Sequence, residues 1–138
     1  PLTLLRDGIL FCHATPRRDD EIITRFSDPK RVEEALHLAP SALIVAGHTH
    51  QQHDGRPGVS RLVNAGSVGM PYEGDGAARW LWIEDGEPDL RSTGYDGVTA
   101  GERILAAGWP DRESITASLI DPADPAEITA LFERAVTS

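Results

Sequence analysis

The chain has 138 residues, 40% hydrophobic and 25% charged, an ordinary globular composition with enough length for one buried core. Its 13 basic residues against 22 acidic ones leave a formal net charge of −9. That argues against non-specific nucleic-acid binding and requires bound divalent cations, or something equivalent, before an anionic ester could be handled. No apolar run is long enough to span a bilayer, and the single Cys12 excludes an internal disulfide framework and fits a reducing cytoplasm.

The chain opens at Pro1 and runs at once into a strand-like pattern, which suggests a piece of a longer sequence. Leu2 to Leu5 and Ile9 to Cys12 read as a hairpin around Arg6-Asp7-Gly8. Two short helices are predicted next. Asp19 or Asp20 caps the first, which carries Ile22, Ile23 and Phe26; Asp28 and Pro29 open the second as N-cap and first-position proline. Val32, Ala35, Leu36 and Ala39 fall at helical spacing, and Pro40 stops the helix. The unbroken apolar run Ala42 to Ala46 suits a strand buried on both faces.

Beyond Gly47-His48-Thr49-His50 the pattern turns antiparallel. Gln51 to Asp54 pairs with Ser60 to Asn64, and Ala77 to Glu84 with Pro88 to Thr93. Helices are predicted from Thr99 to Ala107 and from Pro125 to Val136. The latter begins with Asp124 as N-cap and Glu127 as the capping-box carboxylate. Trp80 and Trp82 share one strand face and read as packing residues, and Cys12 as a core residue pointing away from the face of His13.

The strand ending at His13 and the strand ending at His48 are separated by helices, so a crossover should make them parallel. Both histidines then stand at the C-terminal ends of neighbouring strands, the edge where open α/β sheets gather ligands. His50, two residues on, faces the same way in extended chain, about 6–7 Å from His48. Two such rings can share one ion or serve two ions about 3.5–4 Å apart. Gly47 is expected to supply backbone freedom for swinging both rings inward. His37, mid-helix, and His53, in a polar hairpin arm, are expected outside this cluster.

His13-Ala14-Thr15-Pro16 after an apolar strand resembles the penultimate metal motif of the calcineurin-like metallophosphoesterase family. Gly47-His48-Thr49-His50 is similar to its final metal motif. Asn64-Ala65-Gly66-Ser67-Val68-Gly69 resembles the glycine-rich turn of the small bacterial and archaeal phosphodiesterase-type members. The three occur in the family's order. The resemblance implies an α/β fold, the C-terminal half of a four-layer αββα sandwich of two mixed sheets flanked by helices, with residues 1–138 forming the C-terminal portion of a single domain. It implies a hydrolase of phosphodiester or nucleotide-type phosphate esters, using two divalent metal ions that clamp the phosphoryl group and activate water. Mn2+ is the first candidate, with Fe, Zn, Co or Ni as others.

By the same resemblance His13 and His48 would bind the second metal and His50 the first. Arg17, Asn64 and Ser67 are candidate phosphate contacts, Arg17 as a forked donor and the other two through their glycine-rich turn. The family's Asp-x-His, Gly-Asp-x-x-Asp and Gly-Asn-His motifs are absent. With them go the bridging carboxylate and the catalytic acid, so this chain carries no catalytic residue of its own and should be inactive alone. Its partners would be a small phosphate-ester or nucleotide substrate and the missing N-terminal half or a second chain, with no membrane. The competing readings are a silent fragment binding at most one metal, and a mononuclear three-histidine zinc hydrolase.

Overall fold

The computed structural model describes residues 3–37, 39 and 41–136. Along the chain come β1 (Thr3–Arg6), β2 (Ile9–Cys12), α1 (Pro29–Leu36), β3 (Leu43–Ala46), β4 (Gln52–Gly55), β5 (Arg61–Ala65), β6 (Ala78–Glu84), β7 (Glu87–Thr93), α2 (Gly97–Ala107), α3 (Arg112–Ile120) and α4 (Pro125–Val136). Leu2 and Pro40, the expected strand start and helix stop, lie outside the described residues.

All of β3 is buried, and it pairs in parallel with β2 on one side and β5 on the other. That environment is why Leu43-Ile44-Val45-Ala46 is apolar without alternation. β1 closes one edge antiparallel to β2, and β4 closes the other antiparallel to β5, giving the order β1-β2-β3-β5-β4. The parallel β2–β3 pair and the β4–β5 hairpin match the sequence reading. The return of β5 beside β3 adds a parallel pairing that the local pattern does not announce. β6 and β7 form a second, two-stranded antiparallel sheet.

Helix α1 forms where the sequence places it. The Asp28 carboxylate accepts from the backbone N–H of Lys30 and Arg31 at 3.0 and 3.1 Å, and Pro29 takes the first helical position. Such a cap stabilises a helix by about 1 kcal/mol. Val32, Ala35 and Leu36 pack with Ile23 on Leu10, Ile44, Ala46 and Leu62. The opposite face of the sheet, with Leu43, Val45 and Val63 at its centre, meets Leu81, Ile83 and Leu90 of the second sheet. The layers are therefore helix, five-stranded mixed sheet, and hairpin. No helix among the described residues is long and apolar enough to cross a membrane.

Residues 19–26 depart from expectation, since no helix forms there. Side-chain oxygens take the backbone donors instead. Ser27 Oγ accepts from Thr24 N at 2.9 Å and Thr24 Oγ1 from Phe26 N at 3.1 Å. Hydroxyls that offer the backbone such local bonds compete with the helix. Helix α3 was not expected. It packs on α2 so closely that a Cβ at Gly101 would stand 2.6 Å from Thr116 Cγ2.

Helix α2 starts at Gly97 rather than Thr99, capped by Asp96. Asp124 caps α4 as expected, accepting from the Ala126 and Glu127 N–H groups, while among the described residues the Glu127 carboxylate makes no reciprocal bond. Trp80 and Trp82 do not join the core. They meet edge to face on the outer side of the hairpin, with the Arg91 guanidinium 5.4 and 5.3 Å from their rings. Cys12 packs at the margin of the α1-side core, where burial pushes its thiol up to about 11.

Candidate metal centre

His13 follows β2 directly and His48 lies just beyond β3. The parallel ladder continues past the strand ends, because the Gly47 N–H donates to the His13 carbonyl at 2.8 Å. That bond levels the two chain ends and the rings meet. His13 Nε2 is 3.1 Å from His48 Nδ1, with centroids 5.0 Å apart and planes at 66°. One nitrogen carries the shared proton and the other accepts it.

His50 approaches from the same loop. Its ring stacks on Tyr72 at a centroid distance of 5.3 Å and 29° between planes, and its Nδ1 is buried with no hydrogen-bond partner. Burial holds its pKa below the ordinary histidine value; the Met70 backbone opposes that shift, and the nearby His48 and His13 add to it. A neutral imidazole with an unused buried nitrogen is a suitable ligand for a divalent cation. In donor chemistry the three histidines fit a metal. In arrangement the fit is partial, since no group of three His, Cys, Asp or Glu side chains among the described residues converges on a common ion position. His37 lies apart at the C-cap of α1, bonded to the Glu34 carbonyl rather than mid-helix. His53 pairs with Asn64 across β4 and β5, also outside the histidine contact.

The loop geometry corrects one expectation. Gly47 does not take the left-handed region, and a Cβ there would meet the His13 carbonyl oxygen at an ordinary 3.7 Å. The histidines themselves carry the unusual backbone, with φ of 68° at His48 and 56° at His50. The loop is thus not the extended His-x-His that the spacing argument assumed. Non-glycine residues in that region cost about 1 kcal/mol or more each and concentrate at functional sites.

Asn64 holds this loop in place. Its buried amide donates to the Gly47 carbonyl at 2.6 Å and to Thr49 Oγ1 at 2.9 Å, while its Oδ1 accepts from the Gly66 N–H at 2.9 Å. Gly66 is required by space as well as by its φ of 77°, because a Cβ there would lie 2.6 Å from Arg79 Cβ. Ser67 Oγ accepts from Met70 N at 3.1 Å. Arg17 is held by Glu21, which accepts from Nε at 2.9 Å and from the second guanidinium nitrogen as well. Of the candidate phosphate contacts, then, Asn64 braces the histidine loop, Ser67 shapes the following turn, and Arg17 is paired with a carboxylate.

Sequence reading alone missed two contributors. Tyr72 backs His50 and is itself tied in place by its N–H bond to the His50 carbonyl at 3.1 Å. Nothing in the local pattern of Met70-Pro71-Tyr72 says which way the Tyr72 ring turns. Asp20 lies near His48, but its carboxylate is held by Arg18 at 2.9 and 3.1 Å.

No family model matches the sequence, and no curated protein matches it. Solved structures match the fold. A metallophosphoesterase from Sphaerobacter thermophilus aligns over 89% of this chain and 59% of its own, with 18% identity and a TM-score of 0.68. The hypothetical protein PH1004 from Pyrococcus horikoshii OT3 aligns over 90% of this chain and 52% of its own, with 17% identity and a TM-score of 0.73. The chain therefore has a fold shared with a metallophosphoesterase, and it spans a little over half the length of these two structures.

Proposed function

We propose that this chain is the histidine-bearing part of a divalent-metal-dependent phosphoesterase acting on phosphodiester or nucleotide-type esters. The observation that carries the reading is the meeting of His13 and His48 at 3.1 Å from the ends of parallel strands, with the unpartnered Nδ1 of His50 beside them. The metallophosphoesterase fold likeness supports it.

In this reading His13, His48 and His50 hold the ions through neutral nitrogens, and burial keeps His50 unprotonated and ready to bind. Asn64 and Thr49 fix the loop so that binding requires little rearrangement. Arg17 exchanges Glu21 for a substrate phosphate, a forked donor moving between two anions. The bound ions would supply Lewis acidity and offset the negative charge of protein and substrate. The remaining ligands and the catalytic acid come from an N-terminal half or a second chain, which also completes the second sheet.

Two measurements test this. Mn2+ or Co2+ titrated into the chain should bind, and His48→Ala should weaken binding at least about tenfold; undiminished binding defeats the histidine assignment. The chain alone should not turn over a chromogenic phosphodiester with Mn2+, whereas a rate of about 1 per second or faster would favour the mononuclear three-histidine zinc hydrolase. A second reading, a hydrolytically silent single-metal site, is favoured by the lack of a converged three-ligand group among the described residues. Stoichiometry separates the two once the N-terminal half is supplied, since that reading allows one ion and the phosphoesterase requires two.

A further inference from the structure

Helix α4 is held to the molecule in an unusual way. Its Leu131 is 54% exposed, and among its described residues only Thr129 is buried, at 2%. A helix packed on a core ordinarily buries an apolar stripe. Here a hydroxyl takes the central place, so the partner of that hydroxyl decides what α4 is docked to.

The partner is Gln51, the residue after His50. Its amide nitrogen donates to the carbonyls of Tyr72 and Pro125 at 3.1 and 2.9 Å. Two carbonyls on one end of the amide require the nitrogen there. The amide oxygen therefore faces Thr129, whose hydroxyl shares its proton between Gln51 Oε1 at 2.9 Å and the Pro125 carbonyl at 2.7 Å. One side chain thus joins the histidine loop, Tyr72 and the first turn of α4. Two further contacts follow the same route. The Phe132 ring lies 6.3 Å from the ring of Tyr72, on which His50 stacks. Gly74, at φ 77°, sits where a Cβ would stand 2.9 Å from Pro125 Cδ, so α4 is packed against the Tyr72 segment as closely as the backbone allows.

We propose that Thr129 is a positioning residue for His50. Through Gln51 and Tyr72 it holds the ring in the pose of a metal ligand, and α4 must be docked for that pose to exist. The inference rests on the reading of His50 as a ligand. By linkage, metal binding then tightens α4 by the same factor that docking of α4 adds to metal affinity.

Thr129→Val keeps the shape, removes the proton and leaves Gln51 Oε1 without its donor, whereas Thr129→Ser keeps the hydroxyl. In the metal-free chain, amide hydrogen exchange at Tyr72, whose N–H is bonded to the His50 carbonyl, should rise about tenfold in Thr129→Val. It should return to the parent rate in Thr129→Ser, with the β3 amides unchanged in both. Co2+ affinity should fall about tenfold in Thr129→Val and be restored in Thr129→Ser. In the parent chain, Co2+ should slow exchange across α4, a measurement that needs no variant to fold. Equal acceleration at Tyr72 and in β3 would make Thr129 a stability residue only and overturns the proposal. So does Co2+ that binds without slowing exchange in α4. Failure of the histidine assignment looks different, because Co2+ binding then survives His48→Ala and His50→Ala alike, and that result overturns both readings. Weakened binding in those two variants beside parent affinity in Thr129→Val overturns the role of Thr129 alone.

Discussion

The two faces of the five-stranded sheet are finished to different degrees. On the α1 face, Leu10, Ile23, Val32, Ala35, Leu36, Ile44, Ala46 and Leu62 are all 7% exposed or less. On the other face Leu43, Val45 and Val63 are buried, but Ile9, Phe11, Leu81, Ile83 and Leu90 are only partly so. A cleft of about 420 Å³ separates Ile83 from Ile9 and Phe11, as expected when two strands cover a sheet of five. The difference teaches where rigidity comes from. The histidine loop stands on strands locked from the helical side, so the site can be shaped even while the second layer has room for more chain.

Truncation of the core tests this most strongly. Ile44 is fully buried, and Ile44→Ala should cost about 3 to 4 kcal/mol in urea unfolding. Ile83→Ala, beside the open cleft, should cost less than about 1.5 kcal/mol because much of its surface is already wet. Equal losses would show that both faces are complete. The same asymmetry predicts association. Leu4 and Leu5 on the β1 edge are 59% and 55% exposed, and open apolar edges recruit other chains. Light scattering should show concentration-dependent oligomers, whereas a monodisperse monomer with a cooperative melt would mean the open face is stable as it stands.

The brace under the site comes next in size. Asn64→Ala leaves the Gly47 carbonyl and the Gly66 N–H without their side-chain partner, for an expected loss of about 2 kcal/mol. Metal affinity should fall with it, since the His48 loop loses its anchor. If affinity stays constant while stability drops, Asn64 supports the sheet end and not the histidines. His48→Gly should do the reverse. Removing a side chain from φ 68° relieves about 1 kcal/mol of strain while deleting a proposed ligand. Gly47→Ala, with ordinary contact distances, should change stability by less than about 1 kcal/mol.

Much of this was legible because it is local. Asp28-Pro29 announces α1, the unbroken run to Ala46 announces a doubly covered strand, and the crossover between them forces His13 and His48 to one edge. What was hidden depends on distant partners. Thr24 and Ser27 hold residues 22–27 out of helix partly by donating to the Glu133 carboxylate, 109 and 106 residues away. The insertion of β5 between β3 and β4 is a matter of pairing that a run of Leu62-Val63 cannot express. Trp80 and Trp82 look like core by type. Strand alternation, however, gives the inner face to Leu81 and Ile83. The left-handed backbone fell on His48 and His50 rather than on the neighbouring glycine, a strain that residue preference argues against.

The smallest effect is a pH dependence that separates the histidines from the acidic surface. His53 has its pKa lowered from 6.5 by burial, with Asp54 opposing, and His50 is lowered mainly by burial as well. The unfolded chain therefore binds more protons than the folded one below the ordinary histidine value. In EDTA, stability should be flat above about pH 7 and decline as pH falls from 6.5 through the depressed native values. Asp54 and Glu21 are lowered by their bonds to Arg61 and Arg17, from 3.8 and 4.5, so their contribution is lost only at more acid pH and leaves the histidine window separate. His53→Gln should remove part of the slope between pH 7 and 5, and His50→Gln another part, in urea melts at fixed ionic strength. A stability that holds or rises as pH falls through this window would mean that neither ring is kept neutral by the fold. In that case the β4 edge and the histidine loop are more open to water than their burial indicates.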